Sequence, residues 1–311
     1  MTFKCPVFLQ PGDRVGIVAP ASPFDRDRLN RGMEVLCQMG LEPVFTDRVF
    51  HKNRYFAGMH PERASDIHEF FENPDIRALW AVRGGYGSLR LLSELDYSAM
   101  AEAPKIFIGS SDITALLVTL YRRCRMVTFH GPMVTSLAEA DADTIRGLNR
   151  VLFGFKPLKI EAVQGGVIQE GSASGPVIGG NLATLCHLLA TPFEPDFSGC
   201  ILFVEDTGEK PYRIDRMLTQ MKLAGCFDSI KALIAGSFEN CGPPEEVEKI
   251  FADLFAGSHF PVVTGFPAGH CMPNMTLPIG VMASLDSSSG SLTYHGPAVS
   301  SFSDKKGSGG Q

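Results

Sequence analysis

The chain has 311 residues, 44% hydrophobic and 20% charged, with 28 Lys and Arg against 34 Asp and Glu for a net charge of −6. That length suits two domains, each able to bury a core without disulfide or metal staples, so a zinc module or a knottin is excluded. The mild acidity argues against a surface that tracks phosphates, and nucleic acid is not expected as a partner. In chain order, short β-rich apolar segments alternate with stretches of helical period, the pattern of βα units on a mostly parallel sheet. Arg14–Ala19 reads as the first strand, ended by Pro20. Ser22 and Asp25 can cap the helix that follows, where Leu29, Met33, Leu36 and Cys37 share a face and Gly40 is the stop. The strand-like Ile76–Val82 leads into Arg83-Gly84-Gly85-Tyr86-Gly87. Lys105–Gly109 leads into Ser110, Ser111 and Asp112 and a helix carrying Ile113, Leu116, Leu117 and Leu120. A strand-like Met126–Phe129 ends at His130-Gly131-Pro132.

From about residue 152 to 175 the pattern weakens into Lys, Gln, Gly and Ser, which places the inter-domain connection there. A second domain then opens with Pro176–Asn181 and a helix through Leu182, Leu185 and Leu189. The strand-like Ile201–Glu205, a helix with Ile214, Met217, Leu218 and Met221, and the strand-like Ala232–Ala235 follow. The expected division is a first α/β domain over 1–152, a linker over 153–175, a second β/α domain over 176–302 and a solvated tail over 303–311. The N-terminus shows no apolar stretch of signal-peptide length, and no window approaches the ~20 apolar residues of a bilayer span. A soluble, cytoplasmic protein with no membrane partner is expected. The eight cysteines are never spaced as CxxC, and several sit in apolar runs such as Met33–Cys37, so they read as reduced packing residues.

Ligand sites of open α/β sheets lie beyond the carboxyl ends of the strands. Four segments meet that test: Arg83–Gly87, Gly109–Asp112, Glu205–Glu209 and Gly265–His270. In the second, a β-rich run reaches a glycine and two serines before a strong helix. A nucleophile elbow is built this way, lifting a serine oxygen off the sheet while free N–H groups at the helix start face a developing oxyanion. It lacks the second glycine of G-x-S-x-G, and the alternative is that Ser110, Ser111 or Asp112 merely caps the helix. A serine nucleophile needs a base and the base an orienting acid. Glu205 closes a strand of four apolar residues, where a carboxylate is costly unless hydrogen-bonded or functional, and an ion pair or a loop cap is the alternative reading. His270 lies in a Gly/Pro-rich segment beside Cys271; of the eight histidines, only it and His130 sit in such loops after strand-like runs. The glycine-rich turn at Arg83 lets the backbone approach a ligand, or is simply a tight turn; it is neither a P-loop nor a G-x-G-x-x-G fingerprint. Metal ligation has little support, with neither HExxH nor paired-cysteine spacing.

Together, Gly12–Ser22, Arg83–Gly87, Gly109–Thr114, His130–Pro132, Gly179–Leu182, Val204–Asp206, Pro211–Arg216, Gly269-His270 and Thr276–Gly280 resemble the LD-carboxypeptidase family, over nearly the whole chain. That family includes muramoyltetrapeptide carboxypeptidases and microcin C immunity peptidases. The resemblance implies a Ser-Glu-His triad, which falls on Ser111, Glu205 and His270, and an oxyanion hole of backbone N–H groups matching Gly85 and Asp112. Ser110 departs from the pattern, standing where an aromatic residue is usual. The resemblance further implies an N-terminal flavodoxin-like, class I amidotransferase-like parallel-sheet domain, a C-terminal swivelling β/α domain, a site in the cleft between them and a homodimer. The expected activity is removal of terminal D-alanine from murein tetrapeptides at an L–D bond, without metal or cofactor. Arg83 is the candidate for the D-alanine carboxylate, with Gly84 and Asn181 as further substrate-binding candidates. Two rival expectations stand beside it. An immunity-type peptidase would cleave acylated nucleotide analogues with an aromatic clamp, for which Trp80 is the one tryptophan. A non-catalytic anion- or muropeptide-binding module would use the glycine turn without turnover.

Overall fold

In the computed structural model, residues 3–154, 158–163 and 165–301 are described, and the expected tail over 303–311 lies outside them. Fourteen strands form two sheets among the described residues. The strands are β1 (Arg14–Val18), β2 (Glu42–Val44), β3 (Ile76–Ala81), β4 (Ile106–Gly109), β5 (Thr128–His130), β6 (Lys159–Glu161) and β7 (Val167–Gln169). They continue with β8 (Ser172–Asn181), β9 (Ile201–Thr207), β10 (Ala232–Glu239), β11 (Val262–Val263), β12 (Leu277–Ile279), β13 (Met282–Asp286) and β14 (Ser291–Tyr294). Helices follow β1, β3, β4, β8, β9 and β10 in the βα rhythm read from the sequence.

The first sheet runs β12-β5-β4-β3-β1-β2, parallel except at β12. Its order β2-β1-β3-β4-β5 is the flavodoxin type, which reverses between β1 and β3 and opens a crevice beyond the carboxyl ends of those strands. Helices cover both faces, so β3 and β4 are buried nearly throughout and read as continuous apolar runs. The second sheet runs β6-β14-β13-β8-β9-β10-β11-β7, with a parallel core of β8 to β11 and antiparallel flanks.

Four details differ from the sequence reading. The stretch read as a linker over 153–175 carries two edge strands and the start of β8: β6 pairs with β14, with Ile160 buried between exposed Lys159 and Glu161, and β7 pairs with β11. Strand β12, from the second half, joins the first sheet by pairing antiparallel with β5, and Pro278 is tolerated because β12 is an edge. The strand expected over Met126–Phe129 shifts to Thr128–His130, so His130 ends a strand and is fully buried rather than sitting in a loop. Of the cysteines, all free, Cys124, Cys186, Cys200, Cys226 and Cys241 are buried as read, whereas Cys37 is exposed: Leu29, Gly32 and Leu36 take the inward face of its helix.

Candidate active site

Strand β4 delivers the chain to Ser110, extended and buried, and then to Ser111 at φ +59°. A serine in the left-handed region is strained and persists where the surroundings over-determine it. A short 3-10 turn, Ser111–Ile113, and the helix Thr114–Cys124 follow. None of Ser110, Ser111 and Asp112 caps that helix, which sets the capping alternative aside. The Asp112 carboxylate instead accepts from Ser88 N at 2.7 Å, binding the elbow to the segment after the glycine turn. Burial pushes Asp112 above the usual carboxylate range, against the Ser88 bond and nearby Arg63, which pull it down.

The glycine turn lies directly over the elbow. A Cβ at Gly84 would stand 2.8 Å from Ser111 Cβ and 3.0 Å from its Oγ, so only glycine lets the turn close on the serine. Gly85, at φ +105°, would drive a Cβ to 2.4 Å from Ser22 Oγ. Ser22 does not cap the helix after β1, since Asp25 does, accepting from Arg28 N at 2.8 Å. It joins the loop after β1 to the turn: its N–H donates to Gly84 O at 3.3 Å and its Oγ accepts from Tyr86 N at 3.0 Å. Beneath the turn, buried Arg63 donates to Pro20 O and, at 3.2 Å, to Gly87 O. Burial pushes its guanidinium down to about 10, partly opposed by Asp112. Among the described residues, neither the Gly85 nor the Asp112 N–H donates to a backbone carbonyl, which leaves both for a ligand oxygen.

Glu205, on β9, is wholly buried, and its Oε2 lies 2.7 Å from His270 Nδ1. A carboxylate offers only lone pairs, so Nδ1 carries the hydrogen and Nε2 is left for proton transfer. The His270 loop is held by its own N–H on Ser237 Oγ at 2.9 Å and by Gly269 N on Asn274 Oδ1 at 3.1 Å. Gly269, at φ +121°, fits only as glycine, because a Cβ would meet Glu205 Oε2 at 2.7 Å. Burial alone would raise the Glu205 carboxyl; the two imidazoles against it, His130 and His270, outweigh that and hold it at about 2. For His270 burial would lower the ring, and the Glu205 bond overcomes this and raises it. Burial and the neighbouring Glu205 charge push Asp206 up to about 6.

The two sheets meet behind these groups. Thr114 Oγ1, one turn after Ser111, accepts from Asn181 N at 3.0 Å, and Gly180 lets β8 pass close to that threonine. The registers place Asn181 beside Glu205 and His130 beside Gly109. Among the described residues no hydrogen bond joins Ser111 to His270; the structure ties Ser111 to Gly84 by packing, and Glu205 to His270 by a bond. Asn181 is engaged internally, its Nδ2 on Asp206 at 2.9 Å and its Oδ1 capping the helix Leu182–Leu188 through Thr184 N at 3.0 Å. Arg83 is exposed at the turn and donates to Pro23 O at 2.8 Å. Ser22 and Arg63 were missed as parts of the site. For Arg63 the signal is its place four and seven residues before Ile67 and Phe70 on an apolar helix face. No group of His, Cys, Asp and Glu among the described residues could hold a metal ion, and no helix among them is long and apolar enough to cross a membrane.

Comparison with known proteins gives one consistent result. The profile of the LD-carboxypeptidase N-terminal domain matches residues 15–131, and that of the LD-carboxypeptidase C-terminal domain matches 174–285. A murein tetrapeptide carboxypeptidase of Pseudomonas aeruginosa is 33% identical over 297 residues, covering 89% of this chain and 94% of that one. The crystal structure of a muramoyltetrapeptide carboxypeptidase from Oxalobacter formigenes is 33% identical with a TM-score of 0.81, covering 90% of this chain and 97% of that one. That of an MccF-like protein from Bacillus anthracis is 26% identical with a TM-score of 0.87, covering 93% and 98%.

Proposed function

The chain belongs to the LD-carboxypeptidase family, and we propose that it is a serine peptidase that releases terminal D-alanine from murein tetrapeptides by hydrolysing an L–D peptide bond. His270 Nε2 takes the proton of Ser111 Oγ as that oxygen attacks the scissile carbonyl. The Gly85 and Asp112 N–H groups hold the oxyanion of the tetrahedral intermediate. On its collapse His270 returns the proton to the departing D-alanine amine, and water, deprotonated by the same imidazole, then cleaves the acyl-enzyme. Glu205 keeps the Nδ1–H tautomer in place and stabilises the imidazolium. Arg83, beside the turn, is the cation for the substrate carboxylate. Action on a cytoplasmic muropeptide as a homodimer accompanies this reading as a family expectation.

The observation that carries it is the wholly buried Glu205 bonded at 2.7 Å to a partly exposed His270. A buried carboxylate holding one imidazole nitrogen is costly and orients the other nitrogen as a base. Mass spectrometry of products from a panel of murein tetrapeptides, with and without a chelator, tests it: loss of one D-alanine, unaffected by chelator, is expected. An acylated nucleotide analogue belongs in the same panel, given the likeness to an MccF-like structure. Preferential cleavage of that analogue would move the assignment to the immunity peptidases. The aromatic clamp expected of them is not available from Trp80, which is fully buried with Nε1 on Pro132 O at 2.8 Å. Tight muropeptide binding without turnover, indifferent to His270→Ala, would indicate a binding module.

A further inference from the structure

His130 is a buried titratable group that the mechanism above leaves unused. Its Nε2 lies 3.6 Å from Glu205 Oε1, the carboxylate oxygen that His270 does not take, and both side chains are 0% exposed. Among the described residues neither ring nitrogen of His130 nor Glu205 Oε1 has a hydrogen-bond partner. A wholly buried carboxylate with only one oxygen bonded keeps a large desolvation cost unless its other oxygen faces a donor. The imidazole is also well fixed. Its backbone is paired with Gly109 on one side and Leu277 on the other, and the Phe203 ring packs against it edge-on at 5.1 Å and 77°.

We propose that His130 is a positioning residue whose Nε2–H faces Glu205 Oε1, so that one carboxylate is gripped by two histidines, one from each side of the junction between the sheets. The inference rests on the peptidase reading above. Gripped in this way, Glu205 offers Oε2 to His270 in one orientation. An oxygen pair that already faces an N–H dipole is also a weaker base, so it holds the His270 proton less tightly than an unsupported carboxylate would. The other groups facing the pair are Asp206 beside Glu205, Glu239 at the end of β10 and the Cys271 thiol next to His270. Asp206 is taken up by Asn181, Ala183 and Thr207, and none of the three supplies a donor to Oε1.

The test combines a ¹⁵N-histidine NMR titration of His270 with tetrapeptide kinetics, in the wild type, His130→Leu and His130→Gln. In the leucine variant the His270 midpoint and the acid limb of kcat/KM should move up together by roughly 0.5–1 pH unit, the reach of one hydrogen bond. Its kcat should fall about 10²-fold with KM little changed, the size of effect that follows loss of precise positioning. His130→Gln, whose amide can still donate towards Oε1, should recover part of both. A His270 midpoint in His130→Leu equal to that of the wild type overturns the proposal, and so does a wild-type His130 in the Nδ1–H tautomer. Should the leucine variant fail to fold, the glutamine variant and the wild-type tautomer decide the question. A shifted His270 midpoint in a protein that cleaves no tetrapeptide would overturn the peptidase reading and leave the role of His130 standing.

Discussion

The two sides of the site are held by different forces. On the first sheet position is steric: Ser111 stands in a left-handed turn, and Gly84 and Gly85 leave room where a Cβ would strike Ser111 and Ser22. On the second it is electrostatic: a buried carboxylate bonded to the His270 imidazole and faced by His130 from the first sheet, and a second carboxylate tied to Asn181, Ala183 and Thr207. The elbow side should therefore fail when one carbon is added, whereas the dyad side should fail when a charge is removed or titrated.

The most severe test of that contrast is the one side chain the elbow contributes to the chemistry. Ser111→Ala should cut D-alanine release by about 10⁴-fold or more, while Ser110→Ala keeps most of it; the reverse outcome would reassign the nucleophile. Next is Glu205→Gln, which keeps the shape and removes the charge. A fall in kcat of about 10³-fold or more is expected, and a loss under tenfold would reduce Glu205 to a structural group. Gly84→Ala adds a carbon 2.8 Å from Ser111 Cβ, and kcat should fall about 10²-fold with the pH profile in place. A displaced acid limb in that variant would break the division between steric and electrostatic sides. In the wild type the base must be neutral, and Glu205 raises the His270 ring. Measured kcat/KM should thus fall as the pH drops through a midpoint above about 6.5, the ordinary histidine value. Glu205, held at about 2, stays charged throughout that range. The smallest effect is expected from Arg83→Ala, an increase in KM of roughly tenfold at constant kcat; an unchanged KM would remove Arg83 from carboxylate binding.

What was legible in the sequence was whatever broke a local rule. Ser110 and Ser111 follow a glycine at the end of an apolar run, with the choice of Ser111 coming from the family resemblance; Glu205 closes an apolar strand, and His270 sits after a glycine in a loop of Pro and Gly. The mostly parallel βα pattern was accessible because strands buried on both faces read as continuous apolar runs, whereas the flavodoxin-type order was implied only by the family resemblance. What stayed hidden depends on partners far along the chain. Asn181 looks like a ligand residue until Asp206 and Thr184 are seen to occupy it. Ser22 looks like a cap until the glycine turn, more than sixty residues away, claims its hydroxyl. Strand β12 has only Leu277, Pro278 and Ile279 to announce it, and its sheet is chosen by β5 rather than by its neighbours in sequence.

Because Leu277–Ile279 closes the first sheet, the two halves of this chain form a poor unit of exchange. A fragment ending near residue 152 would leave Thr128–His130 as a bare edge, a row of unpaired N–H and C=O groups that recruits other strands. It would also lack Ser300, which bonds back to Pro6 and Phe8. Recombination between relatives at the midpoint would therefore have to bring a matching C-terminal segment with the nucleophile half.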